Sequence, residues 1–179
     1  KDEASIIHGI PVPVLADYIT VLSNDGEVID ELSLFEMVNS HLSIGLRDIL
    51  DIYVYFLLPS TQKRVLSSAL GGQYAFDEGT PVDLMHTNCI EIVEKDLDDT
   101  FRDGNMLFCA RTPDMIGLID LDEKTLKWSW GERELDKPHH PTLLDNGNVL
   151  VFDNGWKRRL SSRLVEMNPS PGQIVWMYE

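Results

Sequence analysis

Two landmarks recur in the second half of the chain, and their spacing restricts the fold more than any compositional feature does. Gly104-Asn105-Met106-Leu107-Phe108 matches Gly147-Asn148-Val149-Leu150-Val151 at an offset of 43 residues. Asp120 and Asn168 each stand eight residues before a tryptophan, Trp128 and Trp176, at an offset of 48. A repeat of about 40–50 residues is the length of one four-stranded antiparallel propeller blade. Gly-Asn and Asp-Asn-Gly-Asn turns accept the φ > 0 angles of tight hairpins, and the β-branched and aromatic residues beside them suit a pleated, half-buried surface. These landmarks predict successive antiparallel units over 104–155 and 147–179. The two tryptophans are expected in equivalent positions, packing between neighbouring blades.

A weaker copy lies near the start, where Asp17-Tyr18-Ile19-Thr20-Val21-Leu22 and Glu27-Val28-Ile29 flank Asn24-Asp25-Gly26. After it the pattern breaks. Ser33-Leu34-Phe35-Glu36 reads as a capping box that opens a short helix, since the serine hydroxyl accepts a free N–H of the first turn. Leu46 to Leu50 suggests another helical turn, Ile52 to Leu58 a buried strand ended by Pro59, and Gln62 to Pro81 a loop. The expectation is therefore an all-β chain, a single partial propeller domain over 1–179, with an irregular helical and loop insertion over 33–81.

Charge narrows the partners. A net charge of −15 repels nucleic acid and anionic membrane surfaces, and no apolar run approaches the length of a spanning helix. The hydrophobic content of 43% with 25% charged residues is that of a globular domain. One basic cluster, Lys157, Arg158, Arg159 and Arg163, interrupts the acidic background directly after Asp153-Asn154-Gly155. The two cysteines, Cys89 and Cys109, each lie in an apolar strand-like run and read as small buried hydrophobes, with no zinc spacing between them. A disulfide between adjacent strands is geometrically conceivable but unsupported by the sequence, which leaves the redox compartment open.

The histidines carry the chemistry. His86-Thr87-Asn88 precedes the strand-like Cys89-Ile90-Glu91-Ile92-Val93, and Pro138-His139-His140-Pro141 precedes the second repeat. Ser161-Ser162-Arg163-Leu164-Val165-Glu166 follows it, while His8 and His41 belong to no motif. With the two repeats, these blocks over residues 83–179 resemble the arylsulfotransferase family, enzymes that move a sulfuryl group between phenols on a β-propeller. The resemblance implies His86 and His139 as sulfuryl-binding or acid/base groups and Arg158 or Arg163 as an oxyanion partner. It also implies Asn88 as an orienting group and Arg111 as a further binding residue. A sulfate ester spreads negative charge over oxygens that must be held in line, which suits imidazoles and guanidinium forks.

By the same resemblance the substrates are an aryl sulfate and a phenol. No cofactor or metal is implied, and the location is periplasmic or secreted. The family's nucleophilic histidine belongs to a later blade, and no histidine follows His140 here. That favours an alternative, a noncatalytic binding module or inactive fragment. A quinoprotein-like or metal-dependent propeller ranks third, because no compact ligand cluster supports it. Three repeats do not make a typical ring, so the chain reads as part of one, a truncated member, or a subunit that closes by association.

Overall fold

The computed structural model describes residues 2–7, 10–42, 83–155 and 158–179. The chain divides into two compact units, one of Lys1–Ala16 with Ser43–Leu84 and one of Asp17–Leu42 with Met85–Glu179. In the first, strands β1 (Asp2–Ile7) and β2 (Ile10–Leu15) pair antiparallel, Asp2 opposite Leu15 and Ile7 opposite Ile10. The helical turn, strand and loop expected over 46–50, 52–58 and 62–81 lie outside the described residues, as does His8.

The second unit is built mostly from antiparallel β-sheet. Strands β3 (Tyr18–Leu22) and β4 (Val28–Ser33) form the hairpin expected around Asn24-Asp25-Gly26, with Gly26 at φ +83°. Helix α1 (Leu34–Val38) follows at once, and the Ser33 hydroxyl accepts the Glu36 N–H at 3.3 Å, the N-terminal half of the capping box. Leu34, Phe35 and Val38 bury the inner face of α1, and His41 ends the next helical turn on the surface.

Two four-stranded meanders make up the remainder. The first runs β5 (Thr87–Ile92), β6 (Met106–Ala110), β7 (Met115–Asp120) and β8 (Thr125–Trp130). The second runs β9 (Pro138–Leu143), β10 (Val149–Asp153), β11 (Arg163–Asn168) and β12 (Gln173–Tyr178). The units are thus cut at 87–130 and 138–178, not at the expected 104–155 and 147–179. Gly104 and Gly147, at φ +82° and +84°, close the turn between the first and second strands of each sheet, so the sequence landmark lies inside the repeat. The tryptophans do correspond. Trp128 opposes Leu118 and Trp176 opposes Glu166, each beside a register shift.

The sheets share one core. Leu107, Cys109, Ile116 and Leu118 of the first sheet cluster with Val149, Val151, Val165 and Met167 of the second, together with Phe101 and Leu135, while Trp128, Trp130 and Ile174 pack at the margin. The opposite face of the first sheet is also buried, through Met106, Phe108 and Ile119. There Gly117 is required by packing: a Cβ on it would come within 2.5 and 2.6 Å of Phe108 ring carbons. The outer face of the second sheet is open, with Phe152 38%, Trp176 47% and Tyr178 66% exposed.

Candidate functional site

The first strands of both sheets start in the same way. His86 (φ +46°) and Lys137 (φ +59°) immediately precede β5 and β9, and both adopt the left-handed backbone that non-glycine residues rarely take. Thr87 opposes Ala110 as Pro138 opposes Asp153, so His86 and Lys137 are repeat equivalents. The left-handed step is therefore a device of the repeat, re-aiming the chain as it enters the first strand of each sheet.

Each of these strands is then bulged. In β5 the extra residue is Asn88, whose side-chain amide donates to the Pro138 carbonyl at 3.0 Å. In β9 the register slips between His139 and Thr142, where Pro141 has no N–H for the ladder and His140 takes φ +51°. The bulges separate the side chains that a regular strand would alternate, leaving His140 exposed and His139 half-buried.

His139 is the most constrained of the sequence-predicted groups. The Asn154 amide donates to the Lys137 carbonyl at 2.7 Å and lies 2.7 Å from His139 Nδ1, while Nδ1 is 3.1 Å from that same carbonyl. Burial lowers the His139 pKa below its usual 6.5, and electrostatic interaction with Arg111 and His86 lowers it further, against an opposing pull from the Lys137 carbonyl. His86, Arg111 and His139 are thereby brought into one electrostatic neighbourhood. The backbone reinforces this, since the Arg111 N–H donates to the His86 carbonyl at 3.3 Å. Nδ1 thus faces both a donor, the Asn154 amide, and an acceptor, the Lys137 carbonyl, which together hold the ring in place.

The arginines of the basic cluster are held by acceptors of the fold, while Lys157 lies outside the described residues. Arg163 gives Nε to Asp153 Oδ2 at 2.9 Å, one terminal nitrogen to the Glu134 carbonyl at 2.6 Å and the other to Met177 Sδ at 3.1 Å. Arg159 makes a short contact with the same Asp153 oxygen. Arg158 donates to the Glu132 carbonyl at 2.9 Å and reaches Asp114 at 3.5 Å. The expected oxyanion partners, Arg158 and Arg163, thus have their guanidinium groups engaged with carboxylates and carbonyls of the fold. For Arg159 and Arg163 the physical reason is Asp153: it lies fully buried on the core side of β10, and a buried carboxylate demands cations and N–H donors.

No motif in the sequence marks this anchor. Asp153 also accepts the Asp136 N–H at 2.7 Å, and Asp114 accepts the Lys137 N–H at 2.8 Å and faces Lys137 Nζ at 3.2 Å. Lys137 Nζ donates in turn to the Thr112 carbonyl at 2.9 Å. The linker between the sheets is therefore pinned at both ends of one short stretch, 136–137. The available signal was alternation: Val149 and Val151 face the core, and Asp153 continues the same face. No group of three or more His, Cys, Asp or Glu positioned for a metal occurs among the described residues, and none of their helices is long and apolar enough to cross a membrane. No protein-family model matches the chain, and no curated protein matches it.

Proposed function

We propose that the two four-stranded sheets are consecutive blades of a β-propeller, and that the starts of β5 and β9 carry an arylsulfotransferase-like site acting on a phenolic sulfate ester. The observation that supports this most is the setting of His139, braced by Asn154 and flanked by Arg111 and His86. At neutral pH its lowered pKa keeps the imidazole uncharged. The neutral ring then takes the acceptor phenol's proton as that oxygen attacks sulfur, and returns it to the departing phenolate as the aryl O–S bond breaks. Arg111 brings the permanent positive charge that an anionic sulfuryl group requires, and Asn88 acts as an orienting group through the Pro138 carbonyl.

The test is direct. The protein is incubated with an aryl sulfate donor and a phenol acceptor, and phenol release and acceptor sulfation are followed alongside calorimetric binding of the donor. Exchange that His139→Ala abolishes supports transfer. Donor binding without exchange indicates the second reading, a noncatalytic binding module. That reading is favoured by one observation, the engagement of Arg158 and Arg163 by acceptors of the fold. Neither binding nor exchange sinks both.

A further inference from the structure

Cys89 and Cys109 stand directly opposite one another on β5 and β6. Side chains of directly opposed residues project from the same face of an antiparallel pair, with Cα atoms about 4.5–5.5 Å apart. That separation lies within the roughly 4.4–6.8 Å that a disulfide spans. Both thiols also face the neighbouring strand. Cys109 Sγ donates to the Pro138 carbonyl at 3.2 Å, and Cys89 Sγ lies 3.8 Å from His140 Nδ1. Two cysteines paired in register, each touching the segment that carries His139, form an arrangement that neither burial nor packing alone requires.

The geometry points to a peroxide-sensitive cross-strand disulfide, Cys89–Cys109, that signals to the start of β9. Cys89 is the half-buried partner and meets the oxidant first, while Cys109 is fully buried and resolves. The Cys89 thiol proton passes to His140 Nδ1, and the sulfur attacks one peroxide oxygen. As the O–O bond breaks, Cys89 becomes a sulfenic acid and the departing hydroxide recovers the proton from His140 as water. Cys109 sulfur then attacks Cys89 sulfur, the S–OH bond breaks, and hydroxide leaves with the Cys109 proton as a second water. Two thiols and one hydrogen peroxide thus give one disulfide and two waters.

Burial raises both thiols above their ordinary pKa, with the Glu91 carboxylate adding to the effect at Cys89. The pair therefore rests as thiols and responds to sustained peroxide rather than to traces. Oxidation removes the S–H that Cys109 gives to the Pro138 carbonyl and leaves that oxygen to the Asn88 amide. The change falls one residue before His139, independently of whether the site binds sulfate esters.

The intact reduced protein is treated with hydrogen peroxide, remaining thiols are alkylated in denaturant, and nonreduced peptides are mapped by mass spectrometry. Alkylatable thiols should fall from both to none, with one cross-linked peptide pair joining Cys89 to Cys109 at a rate independent of protein concentration. Cys109→Ser should leave Cys89 as a sulfenic acid captured by dimedone, and Cys89→Ser should leave Cys109 alkylatable. The NMR ring signals of His139 and His140 should move on oxidation and return with dithiothreitol. Persistence of both thiols, overoxidation of Cys89 beside a free Cys109, or a disulfide between copies overturns the pairing. Unmoved histidine signals in the disulfide form overturn the link to β9.

Discussion

Trp128 and Trp176 occupy the same register in their sheets, yet only Trp128 is covered: its ring meets Phe101 at a centroid distance of 5.4 Å, whereas Trp176 stacks on Tyr178 at 6.4 Å on an open face. Trp128 packs against the core that the two sheets share, and no described element covers Trp176 in the same way. Truncating Trp128 to alanine should therefore cost about 1–3 kcal/mol in chemical denaturation, and Trp176→Ala within roughly 0.5 kcal/mol. Acrylamide should quench the fluorescence that Trp176→Phe removes. Equal costs for the two alanine variants would show that register, not coverage, governs their contribution.

Asp153 should be the most sensitive polar position in the described unit. Its replacement by alanine strands Arg159, Arg163 and the Asp136 N–H around an empty site. The expected loss is about 3–5 kcal/mol, read as a lower denaturation midpoint, as for other buried ion pairs broken from one side. Asp153→Asn keeps one acceptor and should lose less. A wild-type midpoint in the alanine variant would mean that the arginines find other acceptors at no cost.

The lowered pKa of His139 has a definite sign in stability. The unfolded chain takes up this proton more readily than the folded one, so the contribution is whole above about pH 6.5 and is lost as pH falls below it toward the folded value. Asn154→Asp places a carboxylate beside Nδ1 and should raise the His139 pKa, reversing that slope. NMR titration of the ring reads the shift. Sulfate should bind more tightly as the ring protonates below 6.5, and His139→Ala should remove that pH dependence while leaving the sheets folded. An unchanged sulfate profile in His139→Ala would remove His139 from the anion site.

Gly155 is a backbone requirement. At φ +69° an added Cβ would collide with the Ser161 carbonyl, and the Gly155 N–H already donates to Asp136 at 3.0 Å. Gly155→Ala should cost at least about 1–2 kcal/mol from the left-handed conformation alone. The collision adds to this. Gly147, also left-handed but with open space around it, should show only the conformational part, and the difference between the two variants in urea denaturation measures the collision.

The hairpins and the helix start were legible because their causes are local: glycines at 26, 104 and 147 fix turns, and Ser33 caps α1 within three residues. The division of the sheets was not. It depends on β5, which pairs with β6 across a loop spanning residues 93–105 and has no counterpart of the Gly-Asn landmark at its own start. The neighbourhood of His86, Arg111 and His139 brings together groups from three separate stretches. Motif order hinted at the two histidines, but whether an arginine faces a ligand or a carboxylate depends on where Asp153 ends its strand. The Cys89–Cys109 pairing likewise required the register, which the Asn88 bulge shifts by one residue.

The linker pinned at Asp136 and Lys137 has a consequence for how the chain acquires its shape during synthesis. Lys137 finds Asp114 behind it, already made, whereas Asp136 waits for Asp153 and Arg158, which emerge later. The joint between the sheets is thus half-set when β9 leaves the ribosome and becomes rigid only after the loop past β10 has followed. Until then the first sheet keeps one apolar face uncovered, and this interval, rather than the finished fold, is where the chain is most exposed to mispairing with its neighbours.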